Sequence, residues 1–294
     1  MSDPDKIVFH YTSFDGLLGM TNSASIWGTN ILYLNDASEF VYAKSLLNQE
    51  LHGFCQTNTG FKKGTNLDES LGYYFFKIVE ENVNKLLPSE HFSFYVCSFS
   101  EEPDLLSQWR GYCRNSTGYS LGFALNRLRE IAKRAGFFMK PCIYNKREQV
   151  DAIRALLQKF SDRFLVEVGS AEDKGAAWDS TSKYIAVDFL QEFIQLAPFL
   201  KHPKFEEERE WRIMAGLKTN YIKSQLRFRP GITMIVPYIE IPLPMEDCQL
   251  VIDEIFLGPT NERELSMASA VLLLKSRNVH YSKINCSTIP YRVF

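Results

Sequence analysis

Apolar residues recur along this chain with two periods, and the points where one gives way to the other mark its predicted elements. Ile7 to His10 is a short apolar run that predicts a buried strand, and Ser13 is placed to cap a helix containing Leu17, Leu18 and Met20. Asp36-Ala37-Ser38-Glu39 has capping-box spacing, and Phe40, Ala43, Leu47, Leu51 and Phe54 follow at helical intervals. A polar loop over 56–66 leads to a second helix over 68–87, which stops before Pro88. Residues 92–100 and 118–125 alternate as strands, 126–135 reads as a helix ended by Gly136, and 137–144 returns as a strand. Val150, Ile153, Leu157, Phe160 and Phe164 form one helical stripe and Ile185, Phe189, Phe193 and Leu196 another, so these two helices are expected to pair. Strands over 212–215, 234–241, 251–257 and 279–284, with a helix over 262–277, complete the chain. Blocks of strands separated by helix pairs predict an α+β fold with a mixed central sheet and helical excursions near 36–88 and 146–200. No repeat or Pro/Ser linker divides the sequence, so one domain over 1–294 is expected.

Composition narrows the classes. At 45% hydrophobic and 14% aromatic, the 294 residues can bury a large core. The formal net charge of -2 gives no electrostatic footprint for wrapping duplex DNA. No apolar run approaches the roughly 20 residues needed to span a bilayer, and the start carries no signal-peptide pattern. The six cysteines form no C-x-x-C pair and no disulfide-like spacing, which fits a reduced, cytoplasmic setting; Cys97 and Cys142 read as buried, inert thiols.

Three predicted strand ends carry polar groups. Glu210, Trp211, Arg212 and Ile213 alternate into Met214, so Glu210 and Arg212 share one strand face while Trp211 and Ile213 share the other. Cys97-Ser98-Phe99-Ser100-Glu101 ends a second apolar run and His10-Tyr11-Thr12 the first. Polar groups at three strand ends suggest one site assembled from distant segments. Each residue also has a plainer reading: Glu210 as the structural ion-pair partner of Arg212, His10 as a satisfied core histidine, the serines as backbone partners, and Trp27 as core. Asp36 and Glu39 read as a helix cap rather than metal ligands, while the Asn35 amide could face the site. Walker, dinucleotide and zinc signatures are absent, and no metal is expected.

As an ordered set, His10-Tyr11-Thr12, Leu34-Asn35-Asp36 with Glu39, Cys97-Ser98-Phe99-Ser100 with Asp104, Trp109 and Tyr112, Gly118 with Gly122-Phe123, and Glu210-Trp211-Arg212 resemble the motif series of the bacterial domain-of-unknown-function 2971 family. That resemblance spans nearly the whole chain but implies no reaction. A more distant one does: His10, then Ser98-Phe99-Ser100, then Glu208-Arg209-Glu210 is similar to the chain order of His or Arg, Ser or Tyr, and late Glu in ADP-ribosyltransferases. It implies a split sheet and NAD as substrate, with Glu210 as the catalytic carboxylate beside the ribose and His10 bonding a ribose hydroxyl. Tyr11, Thr12, Ser98, Phe99, Ser100 and Arg212 would complete the NAD contacts, with Trp109 and Arg110 as cover or pyrophosphate clamp.

The leading expectation is therefore an NAD-using enzyme that transfers ADP-ribose or hydrolyses NAD, suited to phage defence or a toxin role. Its acceptor would be protein, nucleic acid or water. Two alternatives stand beside it: a metal-dependent nuclease or phosphodiesterase, and a non-enzymatic ligand-sensing module.

Overall fold

The structure, a computed structural model, describes residues 6–34, 38–57, 76–83, 94–113, 117–169, 176–215, 224–231 and 233–290. Its contacts divide the chain into two compact units: Met1–Tyr33 with Phe94–Cys142 and Glu206–Phe294, and Leu34–Ser93 with Ile143–Phe205.

The first unit is built on an eleven-stranded sheet. Its strands are β1 (Ile7–Thr12), β2 (Ser25–Asn30), β3 (Tyr95–Ser100), β4 (Tyr119–Ala124), β5 (Phe137–Pro141), β6 (Glu210–Ala215), β7 (Arg227–Pro230), β8 (Ile235–Pro242), β9 (Met245–Glu246), β10 (Gln249–Leu257) and β11 (His280–Cys286). The main path runs β11-β10-β4-β1-β3-β2-β8-β7, with β6 bridging β3 and β5 and with β9 on β10. Among the described strands only the β10–β11 pair is parallel, so the fold is α+β with a mixed sheet, as the strand blocks predicted.

Helices α1 (Phe14–Ser23), α4 (Leu106–Tyr112), α5 (Leu125–Arg134) and α8 (Arg263–Ser276) accompany this sheet. The Ser13 hydroxyl accepts from the Gly16 amide at 3.2 Å, which is the expected cap of α1. Gly136, at φ 75, sits in the left-handed turn beyond α5. The large core includes Val8, Leu17, Cys97, Phe99, Leu121, Phe123, Trp211, Ile213, Ile239 and Ile255. A smaller cluster unites Phe9, Tyr11, Trp109 and Cys113.

The second unit is helical. It holds α2 (Ser38–Thr57), α3 (76–83), α6 (Lys146–Gly169) and α7 (Ala176–Leu196), within the stretches the sequence marked as helical. The two predicted stripes meet: α6 packs on α7, with Phe160 edge-on to Phe189 at 5.5 Å, and α2 packs on α6. Gln149 is fully buried, and its amide is satisfied on both ends. It donates to the Ile143 and Lys201 carbonyls at 2.6 and 2.7 Å and accepts from the Tyr42 hydroxyl at 2.8 Å.

Two sequence expectations are corrected. Trp27, read as core, is 43% exposed, because it stands on the face of β2 opposite Ile26 and the main cluster. The strands β2, β7 and β9 were not foreseen: β2 carries Gly28 in its middle, and β7 and β9 are only four and two residues long. Asn35 and Asp36, and with them the proposed helix cap, lie outside the described residues, as do most of the loop at 56–66 and both ends of the helix expected over 68–87.

Candidate functional site

Strand β3 organises the candidate residues because its two edges are used differently. Along one edge it pairs with β6 over its whole length, from Tyr95 opposite Ala215 to Ser100 opposite Glu210. The other edge is shared: β2 takes its start, through Val96 and Tyr95, and β1 touches only its end, through Phe9 opposite Ser100. The sheet therefore splits beside Cys97, Ser98 and Phe99. At this split the His10 ring takes the place of a strand partner, with Nδ1 2.9 Å from the Ser98 carbonyl oxygen. A carbonyl can only accept, so Nδ1 carries the proton, and the neutral ring presents its lone pair on Nε2. Removal from water lowers the His10 pKa, and the bond to Ser98 opposes that shift.

The register decides which candidates can meet. Residues directly opposite in an antiparallel pair point to the same face, and Phe9, Ser100 and Glu210 are aligned in this way across three strands. Glu210, Arg212, Ser98, Ser100, Phe9 and Tyr11 consequently share one face. His10, one residue beyond Phe9, points to the opposite face with Thr12, Cys97, Phe99 and Trp211. Contacts agree: the His10 ring lies 5.7 Å from that of Phe99, and Nδ1 is 3.9 Å from Cys97 Sγ. The structure thus does not bring His10 and Glu210 to one site.

On its own face Glu210 is tied to Arg212. The two are 3% and 2% exposed, with Arg212 Nε donating to Glu210 Oε1 at 2.7 Å and Nη2 to Oε2 at 3.0 Å. Such a two-bonded pair holds the carboxylate in a fixed orientation and matches its charge. Ser100 Oγ donates to the Glu208 carbonyl at 2.6 Å and accepts from the Glu102 amide at 3.0 Å, so it fastens the entry to β6. Burial pushes the Cys97 thiol above its ordinary range, and the Glu210 carboxylate adds to that shift.

The remaining candidates occupy mostly structural positions. The Tyr11 hydroxyl donates to the Glu102 carbonyl at 2.6 Å and accepts from the Leu105 amide at 2.9 Å, and burial raises its pKa. Trp109 is wholly buried, 4.7 Å from the Tyr11 ring and bonded through Nε1 to Asp104 at 2.8 Å, so it does not form an exposed cover. Arg110, next to Trp109 on α4, is exposed. Trp211 is covered by Lys6 and Arg129, whose charged groups lie 5.3 and 4.8 Å from its ring, and it donates to Glu101 at 2.7 Å.

Two motif residues take positional roles that the sequence did not assign to them. Asp104 joins α4 to the chain beyond β11, because Oδ1 accepts from Trp109 and from the Ser287 hydroxyl at 2.6 Å, and Oδ2 from the Thr288 amide at 3.0 Å. Arg209 adopts φ 41 immediately before Glu210, a left-handed turn that delivers β6 into register with β3. No sequence signal marks it, since Gly or Asn is the usual occupant of that conformation.

Among the described residues, no three His, Cys, Asp or Glu side chains are grouped to hold a metal ion. No described helix is long and apolar enough to cross a membrane. Residues 108–213 match the family described as "Protein of unknown function (DUF2971)". The matched stretch contains Trp109, Tyr112, Gly118, Gly122 and Glu210-Trp211-Arg212, while His10 and Ser98 to Ser100 precede it. No curated protein and no solved structure matches this chain.

Proposed function

We propose that this chain is a ligand-recognition module that binds a ribose-bearing nucleotide, NAD being the first candidate, at the split between β1 and β2. The observation that carries this reading is the His10 ring. Its Nδ1–H is committed to the Ser98 carbonyl, which leaves Nε2 as a hydrogen-bond acceptor with no protein partner among the described residues. A lowered pKa keeps the ring neutral at pH 7, so Nε2 remains able to accept from a ribose hydroxyl. The ring of Phe99 beside it supplies an apolar wall.

Recognition is favoured over ADP-ribosyl transfer by the position of the one carboxylate assigned to that chemistry. Glu210 projects from the other face of the sheet and is engaged by Arg212, so it does not stand beside a sugar held by His10. An oxocarbenium-like sugar needs an anion near it in the transition state, and charge already matched by a guanidinium is less available for that purpose.

Calorimetry with NAD, ADP-ribose and nicotinamide tests the reading. NAD and ADP-ribose are expected to bind, nicotinamide alone is not, and His10→Ala should abolish the heat. Incubation with NAD labelled in its adenylate part should give neither labelled acceptor nor free nicotinamide. Absence of NAD and ADP-ribose binding at millimolar concentration would overturn the proposal. Labelled acceptor formed by the unaltered chain would restore the transferase, and nicotinamide release without labelled acceptor would restore NAD hydrolysis.

A further inference from the structure

The face formed by β2, β8 and β7 carries a cluster of aromatic and cationic side chains with no role in the nucleotide reading. Trp27 is opposite Glu240, Thr29 is opposite Tyr238, and Tyr238 is opposite Arg227, so these side chains project from one face. Arg229, two residues along β7, belongs to the same face and stands opposite Val236. The rings of Trp27 and Tyr238 lie 4.6 Å apart at 38°, and the Arg229 guanidinium carbon is 5.6 Å from the Trp27 ring. Trp27 is 43% exposed, so a large aromatic surface meets water here.

Among the described residues neither arginine forms an ion pair: Arg227 Nη1 donates at 3.4 Å to the Leu226 carbonyl, and Arg229 Nε is buried with no hydrogen-bond partner. A face that offers two neighbouring, tilted rings flanked by guanidiniums that make no ion pair among the described residues is complementary to a ligand with flat apolar faces and regularly spaced anions. A nucleic acid strand has both, but a duplex hides its base faces within its own stack, and only an unpaired strand can present them. Glu240, opposite Trp27, is a carboxylate on the same face. Among the described strands, β7 ends the sheet path.

We propose that the β2–β8–β7 face binds single-stranded nucleic acid, with Trp27 and Tyr238 as the stacking platform and Arg227 and Arg229 as phosphate partners. It stands independently of the nucleotide site at the split, because no residue is shared.

The full chain is titrated against fluorescein-labelled oligo-thymidylate and oligo-uridylate about twelve nucleotides long, and against a duplex of equal length, by fluorescence anisotropy. Either single strand should bind more tightly than the duplex, and the comparison of the two strands separates DNA from RNA. Two phosphate contacts predict a slope of log K on log salt of about -1.4, and Arg229→Ala should reduce its magnitude by about 0.7. Trp27→Ala should weaken binding on the order of tenfold, as expected for loss of one stacked base. Glu240→Gln should strengthen it. Far-UV circular dichroism of each variant checks that the substitutions leave the fold in place. The proposal is overturned if neither single strand binds, if the duplex binds better, or if Trp27→Ala and Arg229→Ala bind as the unaltered chain does. A Trp27-dependent dimer without strand binding would assign the face to a second copy of the chain and equally overturn it.

Discussion

Replacing Glu210 with Gln tests whether its carboxylate serves the fold. The side chain is 4% exposed and that of Arg212 is 3%, and the two share bonds of 2.7 and 3.0 Å. Glutamine keeps the shape and one acceptor oxygen but removes the negative charge, leaving a guanidinium in a place that water scarcely reaches. Breaking a buried pair from one side costs about 3–5 kcal/mol, and the retained acceptor offsets about 1 kcal/mol of this. The expected loss is therefore about 2–4 kcal/mol. With a urea slope of about 3 kcal/mol/M, the midpoint should fall by about 1 M. Adding Arg212→Met removes the guanidinium as well, so the double variant should lose less than the sum of the single ones, by about 2 kcal/mol. Equilibrium urea unfolding is followed by both far-UV circular dichroism and tryptophan fluorescence, because a chain of two compact units needs coincident probes before one free energy is assigned. Stability of Glu210→Gln within about 0.5 kcal/mol of the parent, with coincident transitions, would refute the structural role.

Four further outcomes follow from the same structure. The His10 pKa is lowered in the fold, so the unfolded chain takes up the proton first on acidification. Stability should fall as pH drops below about 6.5, by up to about 1.4 kcal/mol per pH unit, and urea midpoints of His10→Gln should lack that component. Burial pushes the Cys113 thiol up to about 12, which makes the unfolded chain the readier acid above pH 9; stability should decline between these values, and Cys113→Ala should flatten the decline in alkaline urea titrations. A Cβ on Gly118 would come 2.3 Å from the Thr12 carbonyl oxygen, so Gly118→Ala should lower stability by about 1–3 kcal/mol in the same assay. Asp247 and Cys248 form the two-residue turn between β9 and β10 with φ 48 and 64, where glycine suits the second position; Cys248→Gly should raise the thermal midpoint, reflecting about 0.5–1 kcal/mol.

Much of the fold was legible in the residues themselves. The α6 and α7 stripes, the Ser13 cap and the Gly136 stop are local signals, and each operates over a few positions of one segment. The common face of Glu210 and Arg212 was equally local, since alternation within one strand requires it. Trp27 was misread because a tryptophan's own surroundings in sequence do not reveal whether any element covers its face of the sheet.

The sequence by itself determined which residues within each strand look the same way, and it marked the strand ends that carry polar groups. Only the tertiary structure decided how those strands align. Phe9, rather than His10, stands opposite Ser100, and Ser100 stands opposite Glu210. The pleat has a period of two, so that single-residue offset sends the imidazole and the carboxylate to opposite faces. Alternation along a strand is written in its residues, whereas register arises from pairing and packing among segments far apart in the chain.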